Sequence, residues 1–173
     1  KSAMTMVVVC CTLLLNAQTT IPTDFYGINA WMPDSIGTVK YWGDLEDHWA
    51  DVENANAKLI RIGGIAPDKN FYTNYQLIKL IDTIRARGGE PIVQVPLWAG
   101  TKTATEAADL VEYVNVTKGR NVKYWSIGNE PNLTYNSTHH GFSAGNYSYS
   151  DYATDVKAFS IAMKTKDASI KVI

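Results

Sequence analysis

A short apolar run, a loop and a helix-period segment recur in that order along this chain. The recurrence limits the possible folds more than any other feature. The apolar runs occupy residues 24–31, 57–64, 90–98, 122–130 and 169–173, with starts 33, 33, 32 and 47 residues apart. Strands alternating with helices at this spacing predict βαβ units and a parallel sheet. One helix is expected over about 44–56, with Leu45, Trp49 and Val52 on one face. A second is expected over about 74–87, with Leu77, Ile81 and Ile84 inward and Gly88-Gly89 as its stop. A third opens at Thr103 with Glu106 completing a capping-box pattern, and buries Leu110, Val111 and Val114 before Gly119. The fourth is expected to take Ser150 as its N-cap, with Tyr152, Val156, Phe159 and Met163 at helical spacing. No low-complexity linker interrupts residues 18–173, which read as one unit.

The strands indicate which α/β architecture to expect. Side chains alternate faces along a strand. In the first run Phe25, Gly27, Asn29 and Trp31 share a face; in the second Leu59, Arg61 and Gly63 do. In the third Ile92, Gln94, Pro96 and Trp98 share one, and in the fourth Tyr124, Ser126, Gly128 and Glu130. The opposite faces carry Ile60, Ile62, Val93, Val95, Leu97, Trp125 and Ile127, suited to packing under helices. A doubly wound open sheet is covered on both sides and favours two apolar faces. A barrel has an outer face under helices and an inner face that can turn polar toward its mouth. Asn29, Arg61, Gln94 and Glu130 fall in the carboxyl halves of their strands, where barrel active sites form. No Gly-x-Gly-x-x-Gly or P-loop pattern follows any strand, which removes the main support for a dinucleotide or phosphate fold. The expected class is α/β, a (β/α)8 TIM barrel truncated to four βα units and the start of a fifth strand.

The most specific stretch is Tyr124-Trp-Ser-Ile-Gly-Asn129-Glu130-Pro131. Here a carboxylate closes an apolar strand, an amide precedes it and a proline leads the chain away. With Phe25-Tyr-Gly-Ile-Asn29 on the first strand and Arg61 on the second, this stretch resembles the clan A retaining glycoside hydrolases with (β/α)8 barrels. Their fourth strand ends in Asn-Glu-Pro. The wider resemblance runs from about Phe25 to Ile173 and looks closest to secreted family-44 endoglucanases. It implies that Glu130 is the general acid/base and that Asn129 hydrogen-bonds a sugar 2-hydroxyl. It also implies that Arg61 points toward the nucleophile. The clan's nucleophile is a Glu ending the seventh strand, so it is expected beyond Ile173, and this chain alone is expected to hydrolyse nothing.

The chemistry accounts for these residue types. Glycoside hydrolysis needs one protonated carboxyl to donate to the leaving oxygen and one ionised carboxyl across the ring. An inward Arg61 would keep such a nucleophile ionised, or would pair structurally with a carboxylate of the sheet. Trp31, Trp98 and Tyr135 sit at strand ends or in following loops, where flat aromatic faces suit sugar rings or ordinary packing. Asn29 and Gln94 are candidates for bonding sugar hydroxyls or for structural hydrogen bonds. His139-His140 lacks the His/Glu spacing of a metal site, and neither a metal nor a cofactor is expected. The loop over 132–149, rich in Tyr, Asn, Ser and Gly, adjoins Glu130; Asn-x-Ser/Thr sequons occur at Asn115, Asn132, Asn136 and Asn146.

Charge narrows the partner. Lys plus Arg number 16 against 17 Asp plus Glu, so a nucleic-acid partner is disfavoured and a partner of little charge is expected; the resemblance implies that it is a polysaccharide or oligosaccharide. Five Trp, ten Tyr and four Phe exclude an intrinsically disordered chain. Residues 1–17 read as a secretory signal peptide: Lys1, an apolar stretch over 4–15, then a small residue for cleavage at Ala17. That stretch is shorter than the roughly 20 residues of a membrane span; a buried strand is the alternative. Cys10 and Cys11 both lie inside it, so a secreted chain from Gln18 has no cysteine, and Val9 stands where a lipoprotein signal would want a small residue. The length of 173 residues is short for a full barrel, which takes roughly 200 at the least. A non-catalytic carbohydrate-binding or cell-surface protein on the same scaffold is the other reading. A barrel lyase or aldolase would want an inward Lys, whereas Lys58 and Lys123 lie at strand starts. The oligomeric state is not legible.

Overall fold

A computed structural model describes residues 21–22, 25–31, 45, 48–69, 71–97, 103–131 and 147–173. The segments over 1–20, 98–102 and 132–146, with the expected signal peptide, Trp98, Tyr135 and the His139-His140 pair, lie outside the described residues. The elements are β1 (Gly27–Trp31), α1 (Trp49–Asn54), β2 (Leu59–Gly63), α2 (Ile65–Lys69), α3 (Asn74–Ala86), β3 (Glu90–Val95), α4 (Ala104–Val111), β4 (Tyr124–Ile127), α5 (Tyr149–Lys166) and β5 (Lys171–Val172). All four strand pairs are parallel and the order is β1-β2-β3-β4-β5, without the reversal that defines a doubly wound sheet.

The predicted alternation holds where it can be followed. Ile60, Ile62, Val93, Val95, Trp125 and Ile127 are buried in one core with Leu77, Ile81 and Ile84 of α3, Val111 of α4, and Phe159 and Met163 of α5. Each such side chain contributes about 1.5–3 kcal/mol on removal from water. Trp125 also satisfies its indole, which donates to the Val122 carbonyl at 2.9 Å. On the other face Leu59, Arg61, Ile92, Tyr124 and Ser126 are only partly covered, while Gly63 and Gln94 are buried.

Helix starts follow side-chain chemistry. Thr73 caps α3 in a reciprocal box with Gln76, and Thr103 caps α4 with Glu106 as the sequence predicts. The cap of α5 is Ser148 rather than Ser150: Asp151 closes the box three residues after Ser148, and nothing equivalent is available to Ser150. After Val111 the helix widens into a π-helical turn over Glu112–Thr117, where the Lys118 amide donates to the Tyr113 carbonyl five residues back. This turn holds Asn115, 5% exposed, against the chain entering β4. Its Nδ2 donates to the Val122 carbonyl (3.0 Å) and to Asp167 (2.7 Å), and its Oδ1 accepts from the Val122 amide at 2.7 Å. The sequon at Asn115 is therefore a buried structural amide.

All five strands are shorter than their apolar runs, and two of the differences bear on the site. β1 begins at Gly27 rather than at residue 24. β4 ends at Ile127, three residues before Glu130. Gly128 takes φ 65° and Glu130 φ 45°, so the chain has left extended backbone and Glu130 does not continue the face of Tyr124 and Ser126. A Cβ on Gly128 would also lie 2.8 Å from that of Leu97.

Asn115→Ala should destabilise the fold by about 2–3 kcal/mol, because it strands the buried Val122 amide, and urea unfolding checks this. Serine hydrogen bonds hold the carboxyls of Asp151 and Asp167 below the usual aspartate range, chiefly from Ser148 and from Ser169 respectively. A depressed folded pKa gives stability that is present above the unfolded value near 4 and lost as pH falls through the folded one. The melting temperature should accordingly fall below about pH 4, and Asp167→Asn should flatten that fall.

Candidate active site

The carboxyl ends of β1 to β4 bring together Asn29, Arg61, Gln94, Asn129 and Glu130. Arg61 leaves β2 toward the less covered face, and its guanidinium donates in three directions. Nη1 reaches Asn29 Oδ1 at 3.2 Å, while Nη2 reaches Gln94 Oε1 at 2.6 Å and Asn129 Oδ1 at 3.2 Å. Burial of the guanidinium works against its charge and lowers its pKa, while Asp68, then Tyr72 and Glu130, work in its favour.

Gln94 is fully buried and both ends of its amide are committed. Oε1 accepts from Arg61 and from the Gly64 amide (2.8 Å), while Nε2 donates to the Gly64 carbonyl (3.0 Å) and to Asp68 Oδ1 (2.7 Å). Its role is structural, and no amide hydrogen faces outward for a ligand. Gly63 makes room for the pairing: a Cβ there would stand 2.6 Å from both Arg61 Cζ and Gln94 Oε1.

Asp68 is a member of the site that the sequence does not single out. It lies in the short helix α2, immediately after the Gly63-Gly64 bend, and is 0% exposed. Oδ1 accepts from Gln94 and from the Leu97 amide (3.2 Å), and Oδ2 accepts from the Asn129 amide at 3.0 Å. Asp68, Gln94, Arg61 and Asn129 thereby close a ring of hydrogen bonds across four elements of the fold. The only hint in sequence is a carboxylate following the double glycine.

The ring orients the Asn129 side chain. A guanidinium can only donate, so Asn129 must turn its oxygen toward Arg61 and its Nδ2 outward. Nδ2 then donates to Glu130 Oε2 at 3.1 Å. Glu130 itself is exposed, so its carboxyl is accessible from solvent. Two tyrosines flank the group. Tyr152 of α5 donates its hydroxyl to the Ile127 carbonyl at 3.2 Å. The Tyr72 hydroxyl is buried with no hydrogen-bond partner among the described residues, and burial pushes its pKa up against the opposing pull of Arg61.

Of the predicted site residues, Asn29, Arg61, Asn129 and Glu130 are gathered here. Trp31 is the last residue of β1, paired in register with Gly63. No helix among the described residues is long and apolar enough to cross a membrane.

No known protein family and no curated protein matches this chain in sequence. Solved structures do match it in fold. One is a family 51 α-L-arabinofuranosidase from Bifidobacterium longum, with TM-score 0.60 and 18% identity over 88% of this chain and 38% of that one. Another is a xyloglucanase of glycoside hydrolase family 44 from Paenibacillus polymyxa, with TM-score 0.57 and 14% identity over 89% of this chain and 41% of that one. The same xyloglucanase solved with xyloglucan gives TM-score 0.56 and 16% identity. This chain thus has a glycoside hydrolase-like α/β fold and spans less than half the length of the solved chains it matches.

Gly63→Ala should cost about 1–3 kcal/mol, since the added methyl collides with two committed polar groups. It should also loosen the Arg61–Gln94 contact, which a crystal structure of the variant would reveal as a displaced guanidinium.

Proposed function

We propose that this chain is the acid/base-bearing part of a secreted retaining β-glycosidase that hydrolyses a neutral β-linked polysaccharide. In this reading residues 18–173 are the N-terminal portion of a (β/α)8 catalytic domain, and residues 1–17 are its signal peptide. The observation that carries the reading is Glu130. It is exposed just past the carboxyl end of β4, with Asn129 beside it and Arg61 of β2 bonded to that Asn129. A carboxyl presented this way at the end of a parallel sheet, in a glycoside hydrolase-like fold, suits proton donation to a glycosidic oxygen.

The proposed roles follow from the bonds each side chain has left. Glu130 protonates the leaving oxygen in the first step and deprotonates water in the second. Asn129 keeps a second Nδ2 hydrogen for the sugar 2-hydroxyl. Arg61 supplies positive charge beside the position of the nucleophile, a Glu outside this chain. Asn29, exposed and using only its oxygen toward Arg61, keeps its NH2 for a hydroxyl. Trp31 and Trp98 are the proposed stacking platforms for sugar rings.

In the full-length protein, Glu130→Gln should lower turnover of unactivated glycosides by about 10²–10⁴-fold. Aryl glycosides with good leaving groups should lose far less, since departure of their leaving group needs little protonation. Steady-state kinetics on both substrate types decide the matter, and equal losses would remove Glu130 from the acid role. Residues 18–173 alone should show no turnover on glucan, mannan or xylan; robust activity would overturn the assignment of an external nucleophile.

A further inference from the structure

We propose that Asp68 is the positioning residue of this site, holding the Gly128–Asn129 peptide just before Glu130 with one carboxylate oxygen and the Arg61 guanidinium, by way of Gln94, with the other. The proposal rests on the glycosidase reading for its kinetic consequences. It rests on the geometry alone for the positioning itself.

Once β4 has ended, the chain has few ways to satisfy its backbone. The Gly128 amide still bonds across the sheet to the Val95 carbonyl at 2.9 Å, and the next donor, the Asn129 amide, is taken up by Asp68 Oδ2. Glu130 follows at φ 45°, a conformation that costs a non-glycine residue about 1 kcal/mol or more. The part-buried bond at Asn129 anchors the Gly128–Asn129 peptide immediately before that residue. The same carboxylate accepts the Leu97 amide, which ties down the exit from β3 beside Gly128. Through Gln94 Nε2 it also fixes which way the Gln94 amide lies. That leaves Gln94 Oε1 facing Arg61, and Arg61 in turn dictates the orientation of Asn129.

Only an aspartate fits this place. An asparagine would offer a single oxygen, and its NH2 would confront either the Asn129 amide or the Gln94 and Leu97 donors. A glutamate would keep both acceptors but displace them by a methylene.

The test uses the full-length protein with Asp68→Asn and Asp68→Glu, monitored by kinetics and by amide hydrogen exchange. In the wild type the Asn129 amide, outside any helix or strand, should exchange slowly; in Asp68→Asn that protection should be lost. Folded Asp68→Asn should lose about 100-fold in kcat on unactivated glycosides, with KM changed less than about 3-fold and a smaller loss on activated aryl glycosides. Asp68→Glu, the variant to read if Asp68→Asn does not fold, should lose about 10-fold with the same substrate dependence. Fast exchange of Asn129 in the wild type would overturn the proposal. So would wild-type kcat in either folded variant, or equal losses on both substrate classes. If the wild type hydrolyses no glycoside, the glycosidase reading fails on its own, and the exchange measurement still decides whether Asp68 positions the peptide.

Discussion

The guanidinium of Arg61, half-buried at the carboxyl end of the sheet, is the constraint around which the site is arranged. A cation taken out of water needs acceptors and a counter-charge, and both must come from nearby. Gln94, Asn29 and Asn129 supply the acceptors, and Asp68 is the largest favourable electrostatic influence on its charge. Because Asn29 and Asn129 are amides with two distinct ends, bonding to Arg61 determines the direction of both, while Asp68 sets that of Gln94. The outward-facing donors of Asn29 and Asn129 are consequences of that choice. Gly63 belongs to the same constraint, since the guanidinium and the Gln94 amide occupy the volume that any side chain there would need.

Much of the scaffold is legible in the sequence because it follows local rules. The period-2 pattern of Ile60, Ile62, Val93 and Val95 and the capping box at Thr103 with Glu106 are short-range signals, and the fold uses them as written. The α5 start shows a near miss of the same kind. The expected cap, Ser150, has an alanine three residues on, whereas Ser148 has Asp151, an acid where the usual box has Glu or Gln. The end of β4 fails for a different reason. Alternation continues formally through Gly128 to Glu130, but backbone handedness changes at Gly128, and apolar pattern carries no record of φ.

The site is legible in its residue types and not in its connections. Arg61, Asn29, Asn129 and Glu130 declare themselves as polar residues in apolar runs of the sequence. Asp68 does not, because a carboxylate in a loop-like stretch with Pro67 beside it looks solvated. Its partners Gln94 and Asn129 are 26 and 61 residues away along the chain. Nor does the sequence reveal that Gln94 is wholly consumed by the structure, since that depends on the Gly64 backbone and on Asp68 lying at its two ends.

The hydrogen-bonded ring has a bearing on how the protein assembles. Its four members belong to β2, α2, β3 and the turn after β4, and its longest bond joins residues 68 apart in sequence. Loop closures of that length are completed only when the intervening strands have docked. A partly folded chain with β2 and β3 paired but β4 still free would hold Asp68 and Gln94 together and leave Arg61 one acceptor short. Local opening at either end of this group would undo the geometry at the other. The competence of the site thus depends on β2, β3 and β4 being docked together.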